Sequence, residues 1–221
     1  MKKLVVTGIV LFYTLSAVWA GDGKFGEINL RFAYQIEGLF RDNVAEWFNY
    51  DINNFYHTDP GFSFGAEYLY SFFDKTLKIG VGAQYELPRE AWDSWSGEAA
   101  DLENERVEYS LLPVYATVQY SPIREFQELF IKGNIGYTIL TSIELLPEGI
   151  PRPGLAEKKG GLYWQVSAGF EADWGLMFEC FYNQKYLSAR WDFSDLGMPA
   201  TSKDIYKARD FGFSASWKFR L

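Results

Sequence analysis

Apolar and polar residues change places at every step in eight separate stretches of this chain. The clearest runs from Phe211 to Leu221. Phe211, Phe213, Ala215, Trp217, Phe219 and Leu221 share one side, and Gly212, Ser214, Ser216, Lys218 and Arg220 share the other. A period of two means an extended strand, because successive side chains leave a pleated backbone on opposite faces. The pattern recurs at Phe25–Glu37, Gly61–Ser71 (with Leu69 as an exception), Leu77–Leu87, Tyr109–Tyr120 (noisier, with Pro113 inside it), Phe130–Leu140, Leu162–Ala172 and Leu176–Tyr186. Each stretch is near the roughly 9–11 residues of a strand tilted across a bilayer. The connections alternate too: long at 38–60, 88–106, 141–161 and 187–206, short at 72–76, 121–129 and 173–175. This predicts an all-β fold, an eight-stranded antiparallel up-and-down transmembrane barrel with short periplasmic turns and long extracellular loops. A soluble β-sandwich or a lipocalin-like barrel with its apolar face inward is the competing reading. Long loops at every second connection, and a strand running to the last residue, speak against it.

The first twenty residues change the picture by adding an address. Lys2 and Lys3 precede an apolar stretch from Leu4 to Val18, and Val18-Trp19-Ala20 offers small residues at the positions a signal peptidase requires. The expectation is a cleaved signal peptide over 1–20 and a barrel domain over 21–221. A membrane anchor is the other reading, but the apolar stretch falls short of the roughly 20 residues of a spanning helix. Aromatic residues make up 19% of the chain, and they favour strands and membrane interfaces. Cys180 is the sole cysteine, so an internal disulfide framework is ruled out. Loss of Lys2 and Lys3 takes the net charge from −8 to about −10, which with one histidine argues against a nucleic-acid partner.

With these segments in hand, the chain resembles the small outer-membrane barrel superfamily that includes the OmpA transmembrane domain, OmpX and the opacity-type proteins. The terminal Phe211–Leu221 segment resembles the signal by which that group engages the barrel-assembly machinery, ending here in Leu221 with Phe219 two positions earlier. The resemblance covers the mature chain and implies an outer-membrane location among lipid and lipopolysaccharide. It implies little about activity. No peptidoglycan-binding domain is expected after the barrel, so the wall-anchoring role of larger relatives is not carried over.

An eight-stranded barrel has an interior that side chains can fill. The inward positions carry both signs: Glu27, Glu67, Glu86, Glu171 and Glu179 against Arg31, Lys78, Lys132, Lys218 and Arg220. Buried charges are costly unless paired, so an ion-paired lumen network is expected, with Arg31 near Glu67 at mid-height and Glu27 near Lys218 lower down. A proton or ion path is the alternative. The first long loop carries Trp47, Phe48, Tyr50, Phe55 and Tyr56, and the second carries Trp92 and Trp95 beside an acidic run. These aromatics form either a cap over the barrel mouth or a contact surface for an extracellular ligand, such as a host protein.

Some small barrels modify lipid A with a histidine and a serine near the outer leaflet. Only His57 is available here, close to Asp59 and Ser63, and the chain lacks the His-x-Ser-Asn pattern. The expectation is therefore no enzyme, no cofactor and no metal. The leading function is an envelope-structural or adhesin-like surface protein. A narrow porin-like channel comes next, and a lipid A-modifying enzyme third.

Overall fold

In the computed structural model, residues 26–36, 38–44, 52–72, 76–93, 106–123, 128–146, 154–192, 194 and 201–220 are described. The expected signal peptide lies outside them. The alternating stretches become ten antiparallel strands: β1 (Glu27–Gln35), β2 (Gly38–Val44), β3 (Ile52–Thr58), β4 (Gly61–Phe72), β5 (Leu77–Asp93), β6 (Arg106–Tyr120), β7 (Leu129–Leu146), β8 (Gly154–Glu171), β9 (Leu176–Asp192) and β10 (Thr201–Arg220). These make eight staves. β1 and β2 lie end to end against β10, and β3 and β4 lie end to end against β5, with the break between the latter at Asp59-Pro60. Proline cannot donate to a ladder, which suits that break. Pairing of β1 with β10, from Glu27↔Arg220 to Gln35↔Gly212, closes the ring.

Closure removes the sheet edges, and the faces then sort by solvent. Over the half of the barrel nearest the chain termini, Leu30, Phe32, Phe64, Val81, Ile131, Ile135, Val166, Phe178 and Phe213 stand exposed on the outside. The alternate residues Asn29, Arg31, Glu67, Gln84, Lys132 and Glu179 are buried inside. This apolar outer band marks the membrane-spanning part. Aromatics trim it: Trp174 and Trp217 pack edge-on at 5.5 Å at the short-turn end, and Trp164 meets Tyr182 at 5.5 Å higher up. The turn from β8 to β9 needs Gly175, whose φ of 94° suits glycine.

The long connections expected at 38–60, 88–106, 141–161 and 187–206 are corrected by the structure. β2 and β3 occupy most of the first, and β5, β7, β8, β9 and β10 run well into the others. Here the faces exchange character. Ala91, Val107, Tyr109, Leu111, Leu140, Ile143, Leu187, Ala189, Trp191, Tyr206 and Ala208 form an apolar cluster inside the upper barrel. Arg106, Glu144, Lys159 and Arg190 are exposed outside it. Above the membrane the outer face meets water, so the apolar residues turn inward as in any soluble barrel. Bulges adjust the period. One extra residue separates Glu86 from Arg89 on β5 relative to Leu111 and Tyr109 on β6, and further shifts fall at Ser110/Leu111 on β6 and at Leu155/Glu157 and Gly160/Tyr163 on β8.

Candidate functional site in the barrel lumen

Neighbouring staves bring inward side chains of opposite sign together in three tiers. In the lowest, Lys78 Nζ lies 2.6 Å from Glu27 Oε1 and 2.9 Å from Glu171 Oε2. Lys218 donates to Glu171 and stands 4.0 Å from Glu27 Oε2. In the middle tier Lys132 Nζ bridges Glu67 at 3.0 Å and Glu179 at 2.5 Å. Arg31 faces the same two carboxylates at 3.8 and 3.4 Å and lies 5.1 Å from the Phe181 ring centre. The Tyr115 hydroxyl donates to Glu67 at 2.9 Å, and the Ser167 hydroxyl donates to Glu179 at 3.2 Å. Gly82 makes room for this pair, because a Cβ there would lie 2.7 Å from the Tyr115 ring and 2.9 Å from Glu67 Cγ.

The upper tier joins Lys185 to Glu86 at 2.7 Å and to Asp210 at 2.6 Å, with Arg89 2.9 Å from Asp210. Arg89 also donates to the Thr58 hydroxyl at 3.0 Å and to the Asp59 carbonyl at 2.6 Å. It thus ties β3 and β5 together where β3 gives way to β4. Each tier holds two cations and two carboxylates and is formally neutral. In a low-dielectric interior that balance is what makes such a filling tolerable. The apolar cluster lies immediately beyond the third tier, and within it the Trp191 Nε1 group donates to the Tyr206 hydroxyl at 3.2 Å.

Of the lumen residues named from the sequence, Glu27, Arg31, Glu67, Lys78, Glu86, Lys132, Glu171, Glu179 and Lys218 all enter these contacts. The side chain of Arg220 lies outside the described residues. Three participants escaped sequence reasoning. Arg89 has the outward parity of Leu87 until the β5 bulge turns it inward. Lys185 and Asp210 keep the inward parity of Asn183 and Gly212, and the alternation could have supplied both.

Of the aromatic contact residues, Trp47, Phe48, Tyr50 and Trp95 lie outside the described residues. Phe55 and Tyr56 belong to strand β3 and Trp92 to β5, which corrects their assignment to loops; their side chains lie outside the described residues. His57 pairs with Leu39 on the outward side of β2 and β3, whereas Ser63 is buried in the lumen and bonds Gln35 and Gln84 at 3.0 and 2.7 Å. The two face opposite sides of the wall. Among the described residues, no group of histidine, cysteine and acidic side chains has the arrangement of a metal site.

A closed eight-stave ring, apolar outside and charged inside, defines the chain as a small β-barrel of the outer-membrane type. Solved structures agree. The outer membrane protein OprG from Pseudomonas aeruginosa superposes with a TM-score of 0.55 at 18% identity, over 90% of this chain and 98% of that one. Two further likenesses are more distant. Ail, the attachment invasion locus protein of Yersinia pestis, solved with the heparin analogue sucrose octasulfate, has a TM-score of 0.40 at 12% identity over 88% of this chain and 99% of that one. Neisserial surface protein A has 0.42 at 8% identity over 88% and 97%. The assignment of fold rests on OprG. No family model and no curated protein sequence matches the chain.

Proposed function

We propose that this protein is a closed barrel of the outer membrane that acts through what it displays above the membrane, as an envelope-structural or surface-interaction protein. The observation that carries the reading is the filling of the lumen: three neutral ion clusters stacked beneath an apolar core. A path for ions would have to cross that core, where apolar side chains give a charge little to replace its hydration. The same core stiffens the upper barrel, a rigid base from which the connecting segments, with Trp47 and Trp95 among them, can meet an extracellular protein or lipopolysaccharide. Export by a signal peptide over 1–20 and insertion through the terminal strand by the barrel-assembly machinery belong to this reading. The test is single-channel recording from refolded protein in a planar bilayer, with folding checked by heat-modifiable gel mobility. Silence from folded, inserted protein is the expected result.

Steady current steps that shift when Arg31 or Glu67 is neutralised would overturn this and put a narrow channel first. One observation favours that second reading. Asn29, Thr117, Asn183 and Ser216 are buried in the lumen with side-chain polar atoms that bond no described protein group, which favours water between the tiers.

A further inference from the structure

Above the apolar band the outer face of the barrel is charged, and the two signs stand on different walls. Three outward glutamates form one registered row: Glu90 on β5 pairs with Glu108 on β6, and Glu108 pairs with Glu144 on β7. Like charges directly opposite on neighbouring strands repel, so this row costs stability in a barrel on its own. Arg106 lies 3.7 Å from Glu90 Oε2 and offsets part of the charge. The wall from β5 to β7 still carries a surplus of negative charge at this level.

The far wall is basic. Lys207 and Arg209 have the outward parity of β10, Arg190 that of β9, and Lys159 of β8 is exposed beside them. Glu157 answers two of these, at 2.8 Å from Lys159 and 3.6 Å from Arg190. Lys207 Nζ lies 5.7 Å from the centre of the Tyr186 ring, and neither Lys207 nor Arg209 has an ion-pair partner among the described residues. Both walls wrap the upper apolar cluster. Glu108 sits between Val107 and Tyr109, and Lys207 sits between Tyr206 and Ala208, all four of them members of that cluster. In the closed ring β6 and β10 are four staves apart in either direction, so Glu108 and the two β10 cations lie on opposite sides of the barrel.

We propose that these walls are the two halves of one interface, and that the partner is a second copy of this chain lying beside the first in the membrane. The glutamate row of one copy faces Lys207 and Arg209 of the next. An unrelated acidic or basic protein would match one wall, whereas a second copy matches both. The contact uses different surfaces on the two copies, so each pair keeps one acidic and one basic wall free and rows of barrels can grow. Exposed ion pairs contribute little singly. Confinement to one bilayer plane supplies the rest, because it holds the walls upright at a common height and removes freedom that association would otherwise have to remove. This pairing requires a membrane-embedded barrel but neither a sealed lumen nor an extracellular ligand, so the conductance result does not decide it.

The test mixes isotopically light and heavy protein, refolded together into phosphatidylcholine vesicles, whose lipid carries no net charge. A carbodiimide then joins carboxylates to the lysines they touch. Mass spectrometry should find links of mixed isotope, which arise only between copies, from Glu90, Glu108 or Glu144 to Lys207 or Lys159. Their yield should fall roughly tenfold between about 0.05 and 0.5 M sodium chloride, because exposed charges are screened. Glu108→Lys combined with Glu144→Lys should abolish the mixed links. Adding Lys207→Glu and Arg209→Glu to the same chain reverses both walls and should restore links between them. Folding of every variant is read from heat-modifiable gel mobility, and Glu108→Gln with Glu144→Gln serves if the reversal does not fold. Mixed links that are absent from wild-type protein, unaffected by salt or undiminished by reversal of one wall would overturn the interface. So would failure of the two-wall reversal to restore them.

Discussion

Lys132 shows how much one side chain can hold. Its ammonium is fully buried between Glu67 and Glu179. Lys132→Met leaves the two carboxylates to share one cation, Arg31, at 3.8 and 3.4 Å. A loss of about 3–5 kcal/mol is expected in urea unfolding of the refolded barrel, because an uncompensated charge then stays buried. Adding Glu67→Gln should recover part of it, since the two sites share partners and do not act independently. By contrast, Arg190 pairs with Glu157 at 3.6 Å on the exposed outer face, and Arg190→Ala should change stability by only about 0–1 kcal/mol. Residues such as Arg31 and Glu67 were legible from the sequence because unbroken alternation fixed their side of the wall. Arg89 was not, because a single extra residue on β5 reverses parity, and Pro88 inside the bulge is the one local mark of it.

Among the elements, the β5 bulge and the upper apolar core have separate consequences. Deleting Leu87 would remove the bulge and leave Arg89 two positions after Glu86, on the same inward face and still facing Asp210 and Thr58. The expected outcome is a chain that still gives the heat-modifiable folded band, and loss of that band would mean that the bulge itself is required. Trp191 is packed in the upper core against Tyr206 and its neighbours. Trp191→Ala should cost about 3–5 kcal/mol by leaving a large cavity. Its signature should be local: faster hydrogen exchange and proteolysis in the upper parts of β9 and β10, with the membrane-spanning part protected. The sequence placed eight strands in the right order but stopped most of them at the membrane edge. Past that edge the outward face turns polar and the inward face apolar, so a rule that equates apolar with outward loses the strand.

For the whole molecule, the decisive property is that charge balances tier by tier inside a ring without edges. Buried pairs are little screened by dissolved ions, so the urea midpoint of the barrel should move little between about 0.1 and 1 M sodium chloride. A large fall would mean that salt reaches the tiers and that the lumen is open to solvent. The chain by itself determined the fold class, the antiparallel order and the sign of most lumen positions, because a period of two is a local property and lipid enforces it over whole strands. Only the tertiary structure decided which opposite charges meet, that Lys185, Arg89 and Asp210 complete a third tier, and that an apolar core caps them. Those facts depend on strand register and on bulges, and on ring closure that brings together side chains as far apart in sequence as Arg89 and Asp210.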